Sequence, residues 1–269
     1  MAICITITST KGGVDKTTLT ANLGAYLADL GQTALLVDAD PQPTLSSFFP
    51  LRHRASGGLT RLMVEAACED VVSQTTLDRL DLVYSDDPDG KLRDAVDGRV
   101  RLKHLLGRPP FAQYDIILID TQGAVGPLQD AAVAAADILL SPIPPEILSA
   151  REFVRGTVAM LERLRPMAFL GAPIGPLRGV LYRLDRSRDA RRIAEELRRE
   201  AYLPSKGATT ILETAIPASV VYREAATYRT PVHRFDRRRG ATPSALDTLE
   251  ALVAELFPHL KTSPTSSVE

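Results

Sequence analysis

A doubly wound α/β fold, with a mostly parallel sheet and helices on both faces, is what this sequence predicts. Two observations carry that reading. Apolar, β-branched runs alternate with segments of helical periodicity along most of the 269 residues, the pattern of successive β-α-β units. The run Ile116-Ile117-Leu118-Ile119 is apolar at every position before it meets Asp120, as a strand covered on both faces of a parallel sheet must be.

The elements follow in order. Residues 3–8 form a strand and residues 16–30 a helix, in which Leu19, Leu23, Tyr26, Leu27 and Leu30 recur at helical spacing before Gly31, a C-terminal stop. A second strand spans 34–37, and Pro41 marks the chain leaving it. Residues 43–110 read as an insertion. They hold a short helix after Pro43, a Gly57-Gly58 break, a helical segment over 59–67, a strand over 80–84 and a helix over 91–106, closed by Arg108-Pro109-Pro110. After the buried strand at 116–119 come a helix at 131–136, a strand at 138–141, a long helix at 147–164, a strand at 179–181 and an arginine-rich helix at 187–200. Residues 211–239 mix turn signals with basic residues, and 244–256 form a closing helix. The sequence predicts a single domain over 1–261 and a polar, disordered tail over 262–269.

Composition narrows the classes. Hydrophobic residues make up 45% and charged residues 24%, enough for a large core. The formal net charge of −1 provides no global field to recruit nucleic acid, so any basic surface is local. Cys4 and Cys68 lack metal or redox spacing and read as reduced packing residues of a cytoplasmic chain. The N-terminus has no positive signal-peptide region. No apolar run reaches the roughly 20 residues that span a bilayer.

Chemistry concentrates after three strands. Lys11-Gly12-Gly13-Val14-Asp15-Lys16-Thr17-Thr18 lies between the first strand and first helix. That is the layout of a phosphate-binding loop, with backbone N–H groups and a helix N-terminus aimed at an anion. Lys16 is placed to reach β/γ-phosphates and the Thr17 hydroxyl to sit on Mg²⁺. Asp38-Ala39-Asp40 and Asp120-Thr121-Gln122-Gly123 end two further strands, so in a parallel sheet all three elements share one edge. Thr17 with Asp120 or Asp38, directly or through water, suits a Mg²⁺ ion that keeps several waters. Asp40 can orient an attacking water. The pattern G-x-x-x-x-G-K-[ST] has glycine before the lysine, whereas here Asp15 stands there. A carboxylate in that place adds bulk and a charge beside a polyanion, where two unit charges ~4 Å apart repel by about 4 kcal/mol at an effective dielectric near 20. Impaired nucleotide use is therefore expected.

These residues carry a resemblance. KGGVDKTT, DADPQ, YDIILIDTQG, ADILLSPIPPEILSARE and ETAIPASVVYREA resemble the deviant Walker A ATPases of the ParA/MinD superfamily, most closely the small ParA-type partition ATPases, over about residues 3–256. The resemblance implies a P-loop NTPase fold, ATP and Mg²⁺ as ligands, and a sandwich homodimer in which Lys11 crosses to the partner's phosphates. It further implies that Asp40 positions water, that Asp120 acts on the metal through water, and that adenine lies near Tyr182, Arg183, Ile216 and Pro217. Its partners would be non-specific double-stranded DNA and a ParB-like centromere-binding protein, at a cytoplasmic, nucleoid-associated location, with no membrane.

The DNA-contacting residues are expected in Arg223, Arg229, Arg234, Arg237, Arg238 and Arg239, a cluster opposed only by Glu224 and Asp236. An earlier group between Arg183 and Arg199 is partly neutralised by Asp185, Asp189, Glu195, Glu196 and Glu200 and reads as a solvated face. Three alternatives stand beside the partition reading, one of them a metabolic ATPase on the same fold, which would need a substrate pocket that residues 43–110 do not display. A MinD-like membrane-cycling regulator needs a basic amphipathic C-terminal helix, and Pro258 breaks the end of this chain. A non-catalytic pseudo-ATPase scaffold would follow from Asp15.

Overall fold

The computed structural model describes residues 2–87, 92, 100–146, 153–185, 187–205, 207–238 and 243–260. Its centre is a nine-stranded sheet. In chain order the strands are β1 (Ile3–Ile7), β2 (Ala34–Ala39), β3 (Leu51–His53), β4 (Ser73–Thr75), β5 (Leu80–Val83), β6 (Ile116–Thr121), β7 (Ile138–Ile143), β8 (Leu177–Leu184) and β9 (Thr209–Pro217). Their spatial order is β3-β4-β5-β2-β6-β1-β7-β8-β9. Every pairing from β5 to β9 is parallel, and the β3–β4 and β4–β5 pairs are antiparallel.

Alternate side chains of the parallel strands feed opposite layers, because successive residues of a strand point to opposite faces. Ile5, Ile7, Leu36, Leu118, Leu140 and Val180 pack under α1 (Lys16–Asp29) and the closing helix, whose Leu249, Leu252 and Val253 are buried there. On the other face, Leu35, Val37, Ile117 and Ile119 meet α2 (Arg101–Leu106) and α3 (Pro127–Ala135). Leu139, Ile143 and Leu181 meet α4 (Ala159–Leu164) and α5 (Arg188–Ser205) on that same face. Further α-helices among the described residues are α6 (Val221–Thr227), α7 (Val232–Phe235) and α8 (Ala245–Leu256). Among the described residues no helix is long and apolar enough to cross a membrane.

Several expected elements are corrected. The start of residues 211–239, read as turn signals and basic residues, is an edge strand, because β9 occupies Thr209–Pro217. Its exposed Glu213 and half-buried Thr214 break the apolar signature. The short strands β3 and β4 are too brief to show a period. The segment 59–67 is helical from Leu59 to Glu65, with Arg61–Glu65 as a π turn, and is stopped by Ala66 at φ 55°. The helix expected over 91–106 is α2 from Arg101 onward, residues 93–99 lying outside the described ones. The helix expected over 147–164 is a π-helical turn Phe153–Val158 running into α4, with 147–152 outside. α3 begins at Pro127, four residues before the expected 131, because proline is favoured at a first helical position. β8 extends three residues beyond the expected 179–181 at its C-terminal end. The tail 262–269 lies outside the described residues.

Candidate functional site

The phosphate-binding loop leaves β1 at its carboxyl edge and enters α1. Register explains what meets it. Asp120 pairs with Ile7 across β1–β6 and with Asp38 across β2–β6, so both strand-end carboxylates stand level with the loop. The return after β6 lies close against it: a Cβ on Gly123 would sit 2.7 Å from the Gly12 Cα, which only glycine permits. Gly13 has φ 70° and Asp15 φ 61°, left-handed backbone that glycine adopts freely and aspartate at modest cost.

The side chains converge as the spacing predicted. The Thr17 hydroxyl donates to Asp120 Oδ2 at 2.6 Å, and Thr20 Oγ1 lies 3.4 Å from Asp120 Oδ1. Asp120 is fully buried, and burial pushes its carboxyl well above the usual range, opposed by the Thr17 hydrogen bond. Lys16 is also buried; burial holds its ammonium below the ordinary lysine value, while Asp120 and Asp40 pull it back up. Asp38 is not available to a metal in the same way. Its Oδ2 accepts from the Ser46 backbone N–H at 2.8 Å and hydroxyl at 2.6 Å, and its Oδ1 accepts from the Asp40 N–H at 3.3 Å. Burial raises its pKa to about 6 despite those bonds. Of the two carboxylates offered for Thr17, Asp120 is the one that meets it, and Asp38 orients the strand exit. Ser46 was missed in the sequence because nothing local marks a serine six residues beyond Asp40 as its neighbour's partner.

Two cavities adjoin. One, of about 570 Å³, is lined by residues 12–18, Asp40 and the 121–124 return. Asp40 is half-buried at its rim and accepts from the Gln42 N–H at 2.9 Å. The other, of about 480 Å³, is lined by Asp15, Thr18, Tyr182, Arg183, Pro217 and Tyr222 among others. Ile216, expected beside adenine, is instead a core residue 1% exposed and lines neither cavity; it packs in the layer beneath α1. Asp15 does not point at the loop's own backbone. It makes no capping bond to α1, and its Oδ2 lies 2.6 Å from Arg183 Nη2. Burial raises the Asp15 pKa and Arg183 opposes the rise.

With this geometry in hand, similarity to known proteins decides the family. The family described as "AAA domain" matches residues 2–165. The chromosome-partitioning ATPase Soj of Thermus thermophilus is 32% identical over 225 residues, covering 83% of this chain and 84% of its own length. The chain belongs to the ParA/MinD superfamily of ATPases. The sporulation initiation inhibitor protein Soj of Bacillus subtilis is 28% identical over 267 residues, 94% of this chain and 99% of that one. Among solved structures, apo McdA of Cyanothece superposes with TM-score 0.79 at 23% identity, covering 95% of this chain and 100% of that one. MinD of Pyrococcus horikoshii complexed with Mg-ADP gives TM-score 0.70 at 21% identity over 94% and 96%. These two show the shared fold, the P-loop NTPase fold of the ParA/MinD superfamily.

Other expected site residues of this ParA/MinD chain are placed less uniformly. Lys11 Nζ lies 3.9 Å from Glu146 Oε2 of the same chain, both partly exposed. Arg223, Arg229, Arg237 and Arg238 are exposed, and Arg223 also lines the second cavity. Arg234 is different: its Nε donates to Asp29 Oδ2 at 2.7 Å and a second guanidinium nitrogen reaches Asp29 Oδ1. With the buried His233 Nε2 2.7 Å from the same carboxylate, these bonds hold Asp29 well below the usual range. Arg234 thus ties α7 to the end of α1. Arg239 lies outside the described residues. Among the described residues no group of three or more His, Cys, Asp or Glu side chains gathers as a metal cage. Thr17 and Asp120 supply the hard oxygen donors that Mg²⁺ takes when it keeps most of its waters.

Proposed function

We propose that this chain is a ParA-type partition ATPase, hydrolysing ATP to ADP and phosphate and using the cycle to position a plasmid, chromosome or mobile element. The observation that carries the reading is the 2.6 Å bond between Thr17 and buried Asp120, with Lys16 and Asp40 on the same cavity. A hydroxyl aligned by a buried carboxylate at a helix N-terminus suits a phosphate-bound cation. Lys16 would neutralise charge on the β/γ-phosphates, and Asp40, at the cavity rim, would hold the attacking water in line. Thr17, with Asp120 acting through water, would hold Mg²⁺, which supplies further neutralisation of the triphosphate. Gly12, Gly13, Val14 and Thr18 complete the phosphate cradle, while Arg183 and Pro217 border the cavity suited to the base.

Residues 1–261 act as one domain in this reading, and the ATP-bound state is a homodimer in which Lys11 leaves Glu146 for the partner's phosphates. Arg223, Arg229, Arg237, Arg238 and Arg239 form the surface for non-specific double-stranded DNA. A ParB-like protein stimulates hydrolysis and release in the cytoplasm, on the nucleoid. The name of the Thermus thermophilus relative, a chromosome-partitioning ATPase, supports the partition role. Asp15 lowers nucleotide use relative to glycine, through its left-handed backbone and its added side chain at the mouth of both cavities. Turnover of Mg-ATP by the chain and by its Asp15→Gly variant tests this. Faster turnover in the variant, abolished by chelating Mg²⁺, is expected. No turnover in either form, with both folded, contradicts the enzymatic reading and favours a pseudo-ATPase scaffold.

A further inference from the structure

The Asp15–Arg183 pair links residues that no phosphate-binding loop requires. Asp15 occupies the position before α1 where a carboxylate ordinarily accepts from the helix's own first N–H groups, yet it makes no such bond and reaches Arg183 Nη2 at 2.6 Å. Arg183 is equally displaced from its default. It is the penultimate residue of β8, has φ 60°, and lies where the β8–β9 register shifts between Tyr182 and Leu184. An arginine in left-handed backbone is uncommon, and such outliers persist where surrounding contacts over-determine them. Both residues of the pair therefore hold unusual backbone while facing each other. The pair stands at the border between the cavities, since Asp15 lines both and Arg183 lines the second.

Consider the carboxylate without Arg183. At the N-cap position of α1, the alternative open to it is the set of N–H groups at the start of that helix, groups a phosphate needs. The chain's own anion would then compete with its ligand's. We propose that Arg183 is a positioning residue for nucleotide binding in this chain: its guanidinium draws the Asp15 carboxylate to the border of the two cavities, so that a loop bearing a carboxylate still admits a triphosphate. This deepens the nucleotide reading above and rests on it.

A double-mutant cycle on Mg-ATP affinity, measured by titration calorimetry, tests the proposal. In the chain as it stands, Arg183→Ala should weaken ATP binding about tenfold. In the Asp15→Gly background the same change should cost at least about fivefold less, because no carboxylate remains to be held. Arg183→Gln, which keeps the stem, serves in the same cycle if the alanine variant does not fold. Equal losses in both backgrounds would mean that Arg183 only touches the nucleotide, and would overturn the proposal. So would a chain that binds no ATP until Asp15 is replaced, although the nucleotide reading would then survive. If the folded Asp15→Gly chain also binds no ATP, it is the nucleotide reading that fails.

Discussion

Asp38 carries a stability cost whose pH dependence can be measured. Its carboxyl is fully buried, and its pKa is raised from an ordinary 3.8 to about 6. The folded chain therefore holds this proton more tightly than the unfolded chain. The stabilisation from protonation is fully present below the unfolded value and is lost as pH rises through the folded one. At 1.36 kcal/mol per unit, the full span is about 3 kcal/mol. With those two values, roughly half of that span is lost between pH 5 and pH 8, and most of it between pH 4 and pH 8. Asp38→Asn removes the titration while keeping an acceptor for Ser46. Its amide nitrogen would face the Asp40 N–H, a pH-independent loss of about 1 kcal/mol, so the readout is the slope and not the offset. Removing the Asp38 charge also lowers the pKa of Asp120, which Asp38 helps raise, and that adds to the slope with the same sign. Urea unfolding of both chains in EDTA, from pH 5 to pH 8, gives the comparison. The variant should gain stability relative to the parent as pH rises. A difference flat to within about 0.5 kcal/mol, or one running the other way, refutes the assignment of Asp38 as a buried carboxyl that favours its proton.

Three further outcomes follow from the structure. Asp40→Ala, made in the Asp15→Gly background, should retain ATP binding and dimerisation but lose turnover about a hundredfold; a parental rate would remove Asp40 from water positioning. Changing Arg237, Arg238 and Arg239 together to alanine should weaken duplex DNA binding and flatten its salt dependence, whereas Arg234→Ala should chiefly lower the thermal midpoint, because Arg234 is held by Asp29. DNA affinity indifferent to salt and to the three arginines contradicts the proposed surface.

The fold's centre was legible because its signals are local. The all-apolar run before Asp120 and the loop between a strand and a periodic helix depend on neighbours in sequence, and both strands appear where expected. The convergence of Thr17 with Asp120 followed from parallel topology alone. What escaped depends on distant partners. The sequence put the Asp15 charge beside the phosphates without fixing where its carboxylate turns; it turns to Arg183, which arrives from the far end of β8. Arg234 looked like part of a basic surface until the fold brought Asp29 to it across 205 positions. Asp38 was offered beside Asp120 as a partner for Thr17, but Ser46 folds back onto it. Edge strand β9 was hidden because one neighbour and a solvated side leave little apolar pattern to read.

The central claim is that the loop at 11–18 holds a nucleotide's phosphates with Lys16 as their buried counter-charge. Titration of Mg-ATP into the chain and into its Lys16→Ala variant, with folding of both checked by circular dichroism, tests it most directly. The account predicts one saturable site per chain that disappears in the variant. Absence of binding in the parent and its Asp15→Gly form, or equal affinity with and without Lys16, would contradict it.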